Sequence, residues 1–204
     1  MDKKLFIGLF LSFIAATIIG TLSHEFGHYI VAKYFGYDAR INYGATFWNS
    51  PDPNNPITPS SPIAMTLGGP IQTMLTGTIG VFLLLVFRKS FYAADKLSLR
   101  QWIIIFLSLF WLRQTSNFCT WLGSYFLNGS FSSRPDEIRI ANYFDLPTWT
   151  LISITAMMGA FVLGIITFKF IPSRQRITFL TAGLCGGIAG FYLWLIQFGK
   201  YIMP

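Results

Sequence analysis

The stretch LFIGLFLSFIAATIIGTLSHEFGHYIVAKYFG, Leu5–Gly36, opens with an uncharged run to Ser23. It then places both histidines of the 204-residue chain, His24 and His28, around one of its two glutamates, Glu25. A bilayer core takes about 20 apolar residues to cross, so the run is long enough to span. It exceeds the apolar part of a signal peptide, about 7–15 residues, and reads as a retained helix. Ionisable groups inside membrane helices are costly and usually functional. The plainer alternative is that these three polar residues sit solvated at a wet helix end.

Composition places the rest of the chain in the same setting. It is 53% hydrophobic and 18% aromatic, with 11% charged residues, against about 25% in a soluble domain. So little charge cannot cover a water-facing surface. The expectation is a single-domain, all-α, multi-pass integral membrane protein of a plasma or inner membrane, with the lipid bilayer as its surroundings. Five apolar segments, at about Leu5–Phe35, Ala64–Phe87, Trp102–Leu127, Trp149–Phe170 and Ile177–Phe198, each read as a transmembrane helix, because only an internally hydrogen-bonded segment is stable in lipid. Gly183 with Gly187, Gly186 with Gly190, and Ala160 with Gly164 are spaced as helix-packing seams.

The net charge of +7 does not point to nucleic acid, since no basic run with interleaved aromatics lies outside the apolar segments. It fits Lys and Arg gathered in cytoplasmic loops. With the N-terminus inside, the inner loops hold nine (Lys3, Lys4, Arg88, Lys89, Lys96, Arg100, Lys169, Arg174, Arg176) and the outer loops five (Lys33, Arg40, Arg134, Arg139, Lys200). Cys119 and Cys185 lie in apolar runs and read as buried small hydrophobes, not a disulfide.

Two loops interrupt the apolar pattern. After the first helix, prolines at 51, 53, 56, 59 and 62 exclude a helix. The preceding ARINYGATFW has strand formers around a glycine, so Tyr37–Trp48 reads as a short β-hairpin or an extended membrane-surface loop. After the third helix, PDEIRIANYF reads as a short helix with Pro135 at its first position.

HEFGH is an H-E-x-x-H pattern. On a helix, residues i and i+4 share a face, so both imidazoles can reach one Zn²⁺ ion. Glu25 beside them can act as the general base toward water acidified by the metal. A catalytic zinc takes three protein ligands, and no third histidine exists. The remaining candidates are Asp38, Asp52, Asp95, Asp136, Glu137, Asp145 and the two cysteines. Asp136 and Glu137 stand out because they follow the most polar apolar segment, which carries Arg113, Gln114 and Asn117 in mid-span. Those three read either as a polar seam between helices or as cavity groups, with Asn117 toward a substrate backbone and Arg113 near developing charge.

HEFGHYIVAKYFGY on a membrane helix resembles the first signature of the site-2 protease family of intramembrane zinc metalloproteases (peptidase family M50). LGGPIQT, with Gly69 and Pro70, resembles the Gly-Pro of that family's second helix. RPDEIRI can be laid over its L-D-G-G-R stretch, Asp136 on the third metal ligand and Arg139 on the arginine. Thr73 stands where the family often has asparagine, and Glu137 where it has glycine. The resemblance covers roughly residues 5–145 and implies a three-helix catalytic core, 1–145, followed by two additional transmembrane helices, 146–204. It implies Zn²⁺ held by His24, His28 and Asp136 and Glu25 as the catalytic base; read from the residues themselves, Asn117, Glu137 and Arg113 are candidate substrate-binding or supporting groups. The expected activity is cleavage within or near a transmembrane segment of a membrane protein, or of a signal peptide. The alternatives are a non-proteolytic membrane zinc hydrolase acting on lipid and a catalytically silent metal-binding or assembly protein. In many site-2-type proteases the H-E-x-x-H end of its helix lies nearer the cytosol, whereas an inside N-terminus puts His24 nearer the opposite face.

Overall fold

A computed structural model describes residues 2–49 and 61–204. The chain is mostly helical, and four of its helices are long and apolar enough to cross a membrane: Lys3–Tyr34, Pro62–Val86, Trp149–Phe170 and Ser173–Ile202.

Helix α1 (Lys3–Tyr34) starts where the Asp2 carboxylate caps the backbone N–H groups of Lys4 and Leu5. Its 32 residues measure about 48 Å at ~1.5 Å per residue, so the histidines lie in its last third. Gly36, at φ +80°, turns the chain out of the helix. Strands β1 (Asp38–Ile41) and β2 (Thr46–Asn49) then pair antiparallel, Ile41 opposite Thr46 and Asp38 opposite Asn49. The Asn42 side chain accepts from the N–H groups of Gly44 and Ala45 and closes the turn. The proline run at 51–59 lies outside the described residues.

Helix α2 (Ser61–Val86) carries Pro70 in its interior. Proline has no N–H to give the carbonyl four residues back, which weakens the helix just where it faces the histidines. A short helix, α3 (Arg88–Tyr92), leads to α4 (Leu99–Ser108), whose start is closed by a reciprocal capping box of Ser98 and Gln101.

The third apolar segment is not one uninterrupted helix. A 3₁₀ turn at Leu109–Trp111 separates α4 from α5 (Leu112–Asn128). Neighbouring helices approach closely at this turn. A Cβ on Gly80 would strike the backbone at Leu107 and Ser108, one on Gly77 would strike Trp111, and one on Gly159 would strike the Trp111 carbonyl. The turn therefore sits between α2 and α7 (Trp149–Ile165), against three glycines.

Helix α6 (Asp136–Tyr143) follows Pro135, which stands one position before the helix rather than inside it. Ile138 on α6 packs with Trp121 and Ile152, wedging α6 between α5 and α7 (Trp149–Ile165). Helix α7 runs on through a π-helical stretch to Phe170. Helix α8 (Ser173–Phe191) continues through a second π stretch, Tyr192–Phe198, into α9 (Gly199–Ile202).

Helix α1 packs along α8 and α2. Between apolar helices in lipid, close packing rather than water exclusion supplies the attraction. Gly183, Gly186 and Gly190 of α8 meet Phe13, Phe10 and Thr17 of α1 so closely that a Cβ would collide at the last two. Gly187 has nothing within contact distance, so the seam follows one face of α8 and excludes it, and Gly164 on α7 likewise has nothing within that distance. Cys119 and Cys185 are free and exposed, not buried, because they lie on outward faces of their helices.

Candidate metal centre

His24 and His28 are turned inward on α1, and with Glu25 all three are buried. Their place is set by glycines. A Cβ on Gly27 would run into the Gly68 carbonyl, and one on Gly68 into that of Gly27, so α1 and α2 touch backbone to backbone beside the histidines. A Cβ on Gly69 would collide with the Nε2 atoms of both imidazoles. Glycine at 69 leaves a space in front of the two ring nitrogens.

Hydrogen bonds on α2 decide which nitrogen of each ring carries the proton. His28 Nδ1 lies 2.7 Å from the Met65 carbonyl, which can only accept, so Nδ1 donates. The Gly69 N–H is 3.2 Å from the same nitrogen, but the shorter contact to a carbonyl would be repulsive without a proton on Nδ1. For His24, Nδ1 lies 2.9 Å from Thr73 Oγ1, and that hydroxyl gives its one proton to the Gly69 carbonyl at 2.8 Å. Thr73 must therefore accept, and His24 Nδ1 donates. Both Nε2 atoms are left with bare lone pairs.

Those lone pairs converge on a carboxylate. His24 Nε2 is 3.0 Å and His28 Nε2 3.2 Å from Asp136 Oδ2, and the two nitrogens are 3.1 Å apart. Three electron-rich atoms face one another with no proton assigned between them. A tetrahedral ion with bonds of about 2.0–2.1 Å separates its ligand atoms by about 3.3 Å, close to this triangle. One ligand atom each from His24, Glu25 and His28 also lies within 4.8 Å of the others, a group that could hold a metal ion. The donor set of two imidazoles and carboxylates suits a cation of zinc's type.

Arg139, half exposed one helical turn on, sits 4.0 Å from Asp136 Oδ1, leaving Oδ2 to the imidazoles. Glu137 points elsewhere. It is buried on α6 and accepts from Asn117 Nδ2 at 3.1 and 3.4 Å. Burial pushes its carboxyl above the ordinary range, against the Asn117 hydrogen bond. Asn117 thus ties α5 to α6 and holds the first turn of α6 against the centre. Of the other carboxylates, Asp38 pairs with Lys33 at the surface, Asp95 and Asp145 are exposed, and Asp52 lies outside the described residues.

Glu25 faces the hairpin. Thr46 Oγ1 on β2 lies 3.0 Å from Glu25 Oε2 and 2.8 Å from the Glu25 carbonyl. Arg113 Nη2 on α5 is 3.7 Å from Glu25 Oε1. The far end of the hairpin is held by the C-terminal helices: Trp194 Nε1 donates to the Tyr43 carbonyl at 2.7 Å, and the Tyr43 N–H donates to Met203 O at 3.0 Å.

Sequence reasoning missed Thr73, Thr46, Gly69's steric role and Trp194. Thr73 stands four residues after Gly69, one helical turn, and that spacing was a usable signal. Thr46 and Trp194 gave none, because their contacts join residues 21 and 151 positions apart in the chain. No protein-family model, curated protein or solved structure matches the chain.

Proposed function

We propose that this protein is a zinc-dependent intramembrane endopeptidase of the site-2 protease kind, with five membrane crossings if α4 and α5 together form one. The observation that carries the reading is the convergence of His24 Nε2, His28 Nε2 and Asp136 Oδ2 beside a buried glutamate. His24, His28 and Asp136 would hold the metal. Bound there, zinc would polarise a peptide carbonyl and bring the pKa of water down to about 7.

Glu25 then has the protein's part of the chemistry. It takes a proton from the attacking water and delivers it to the amine nitrogen as the peptide C–N bond breaks. Thr46 Oγ1 shares its one proton between the Glu25 carbonyl and Oε2, which ties the hairpin to the base. Thr73 and the Met65 carbonyl hold the imidazole tautomers, as outer hydrogen bonds on metal-binding histidines do. A peptidase needs its substrate extended, and among the described residues the hairpin has two strands, onto whose edges a further strand could add. The resemblance in HEFGH and Gly69–Pro70 supports the same reading.

The experiment is Glu25→Gln in detergent-solubilised protein. The variant is expected to keep its zinc and to lose cleavage of a quenched-fluorescent apolar peptide by about 10²–10⁴-fold. A wild-type rate in Glu25→Gln, or cleavage of lipid esters but not of peptide, would reject the assignment.

A further inference from the structure

A cavity of about 580 Å³ lies between α1, the 3₁₀ turn, α5 and α8, and reaches Thr73 at the metal-site end. Its walls are apolar, with Phe13, Leu109 and Phe179 among them. Among the described residues Arg113 is the one charged side chain on the wall. The Arg113 guanidinium lies in the field of three carboxylates, Glu25, Asp136 and Glu137, but has no hydrogen bond to any of them. Its Nε is buried without a hydrogen-bond partner, and its Nη2 meets Glu25 at 3.7 Å, too far for a hydrogen bond. Glu25 is meanwhile engaged by Thr46 on its other oxygen. A cation set in an apolar wall is costly unless an acceptor meets it. Asn117, also on the wall, gives its Nδ2 to Glu137, and no hydrogen bond joins its Oδ1 to Arg113.

The geometry points to Arg113 as the substrate-binding residue of this cavity: it receives the oxygen of the scissile carbonyl and, after cleavage, the new carboxylate of an apolar peptide. This inference rests on the peptidase reading. The apolar walls take the side chains on the carboxylate-bearing side, and the forked guanidinium takes the two oxygens. No other cationic group on the wall competes for that role. The ligand class is therefore an apolar peptide ending in a free carboxylate, in preference to the same peptide as an amide.

The test uses the full chain in detergent micelles, loaded with zinc. N-acetyl-Leu-Leu-Phe is titrated as the free acid and as the C-terminal amide. The wild-type protein should bind the acid about 10–100-fold more tightly, the range for a hydrogen-bonded charge pair. Arg113→Gln should bring the two peptides within about 3-fold of each other, and Arg113→Lys should keep part of the preference. Zinc content, measured on the same samples, should be unchanged in both variants. The inference is overturned if acid and amide bind alike to the wild type, or if neither binds. It is equally overturned if the preference survives Arg113→Gln, which would assign it to the metal, or if that variant loses zinc. A zinc-loaded wild type that prefers the acid through Arg113 yet cleaves no peptide would reject the peptidase reading alone. Cleavage without the preference would reject this inference alone.

Discussion

At the scale of single residues, the centre depends on proton placement. Two imidazoles can serve as ligands together only if both Nε2 atoms are bare, and each ring needs an Nδ1 acceptor to ensure that. Thr73 does this for His24. Thr73→Val keeps the shape and removes the acceptor, so zinc affinity should fall about 10–100-fold in a chelator competition. Unchanged affinity would show that the hydroxyl has no part in the tautomer. A paired comparison addresses the carboxylate. Asp136→Ala should lose the metal, while Glu137→Ala, which breaks only the tie to Asn117, should retain most of it. The reverse pattern would move the ligand to Glu137. The histidines, Glu25 and the Asp136–Glu137 pair were legible because H-E-x-x-H is a local pattern and carboxylates are few. Thr46 was not legible: it reaches Glu25 only through a hairpin whose placement depends on Trp194, 151 residues from Tyr43.

Among the elements, α1, α2, α7 and α8 followed from apolar length, and the hairpin from strand formers around Gly44. Their starts shifted by at most four residues, as with α8 at Ser173 against Ile177, and α7 and α8 reach their expected ends only through the π-helical stretches that follow them. The break at Leu109–Trp111 had no sign within its own segment, which contains neither proline nor glycine there. It lies where Gly77, Gly80 and Gly159 on other helices come against its backbone and the Trp111 ring, and we take this contact to shape the turn. That account makes a contrast. Gly80→Ala should cost about 1–3 kcal/mol, the usual range for overpacking, because the new Cβ meets backbone that cannot rotate away. Gly187→Ala, with nothing within 4 Å, should stay within about 0.5 kcal/mol of wild type. Unfolding by titration from mild detergent into SDS compares the two. Equal effects would remove the steric explanation of the turn.

For the whole molecule, the apolar composition pointed to the membrane, and the four long apolar helices suit one. The last two helices read as additions outside a three-helix core. The structure ties them to that core, since α8 lines the cavity and the segment after it anchors the hairpin tip. No sequence pattern announces such a contact, because it joins residues far apart in the chain. Orientation rests on the distribution of Lys and Arg. A cysteine placed at Asp2, in a Cys119→Ser/Cys185→Ser background, should be labelled only from the cytoplasmic side; labelling from the outside would reverse the arrangement. The central claim, that the bundle holds one catalytic metal on His24 and His28, is tested most directly by elemental analysis of the purified protein. The wild type should contain about one zinc per chain, and the His24→Ala/His28→Ala double variant close to none. A wild type devoid of metal, or a double variant with undiminished zinc, would contradict it.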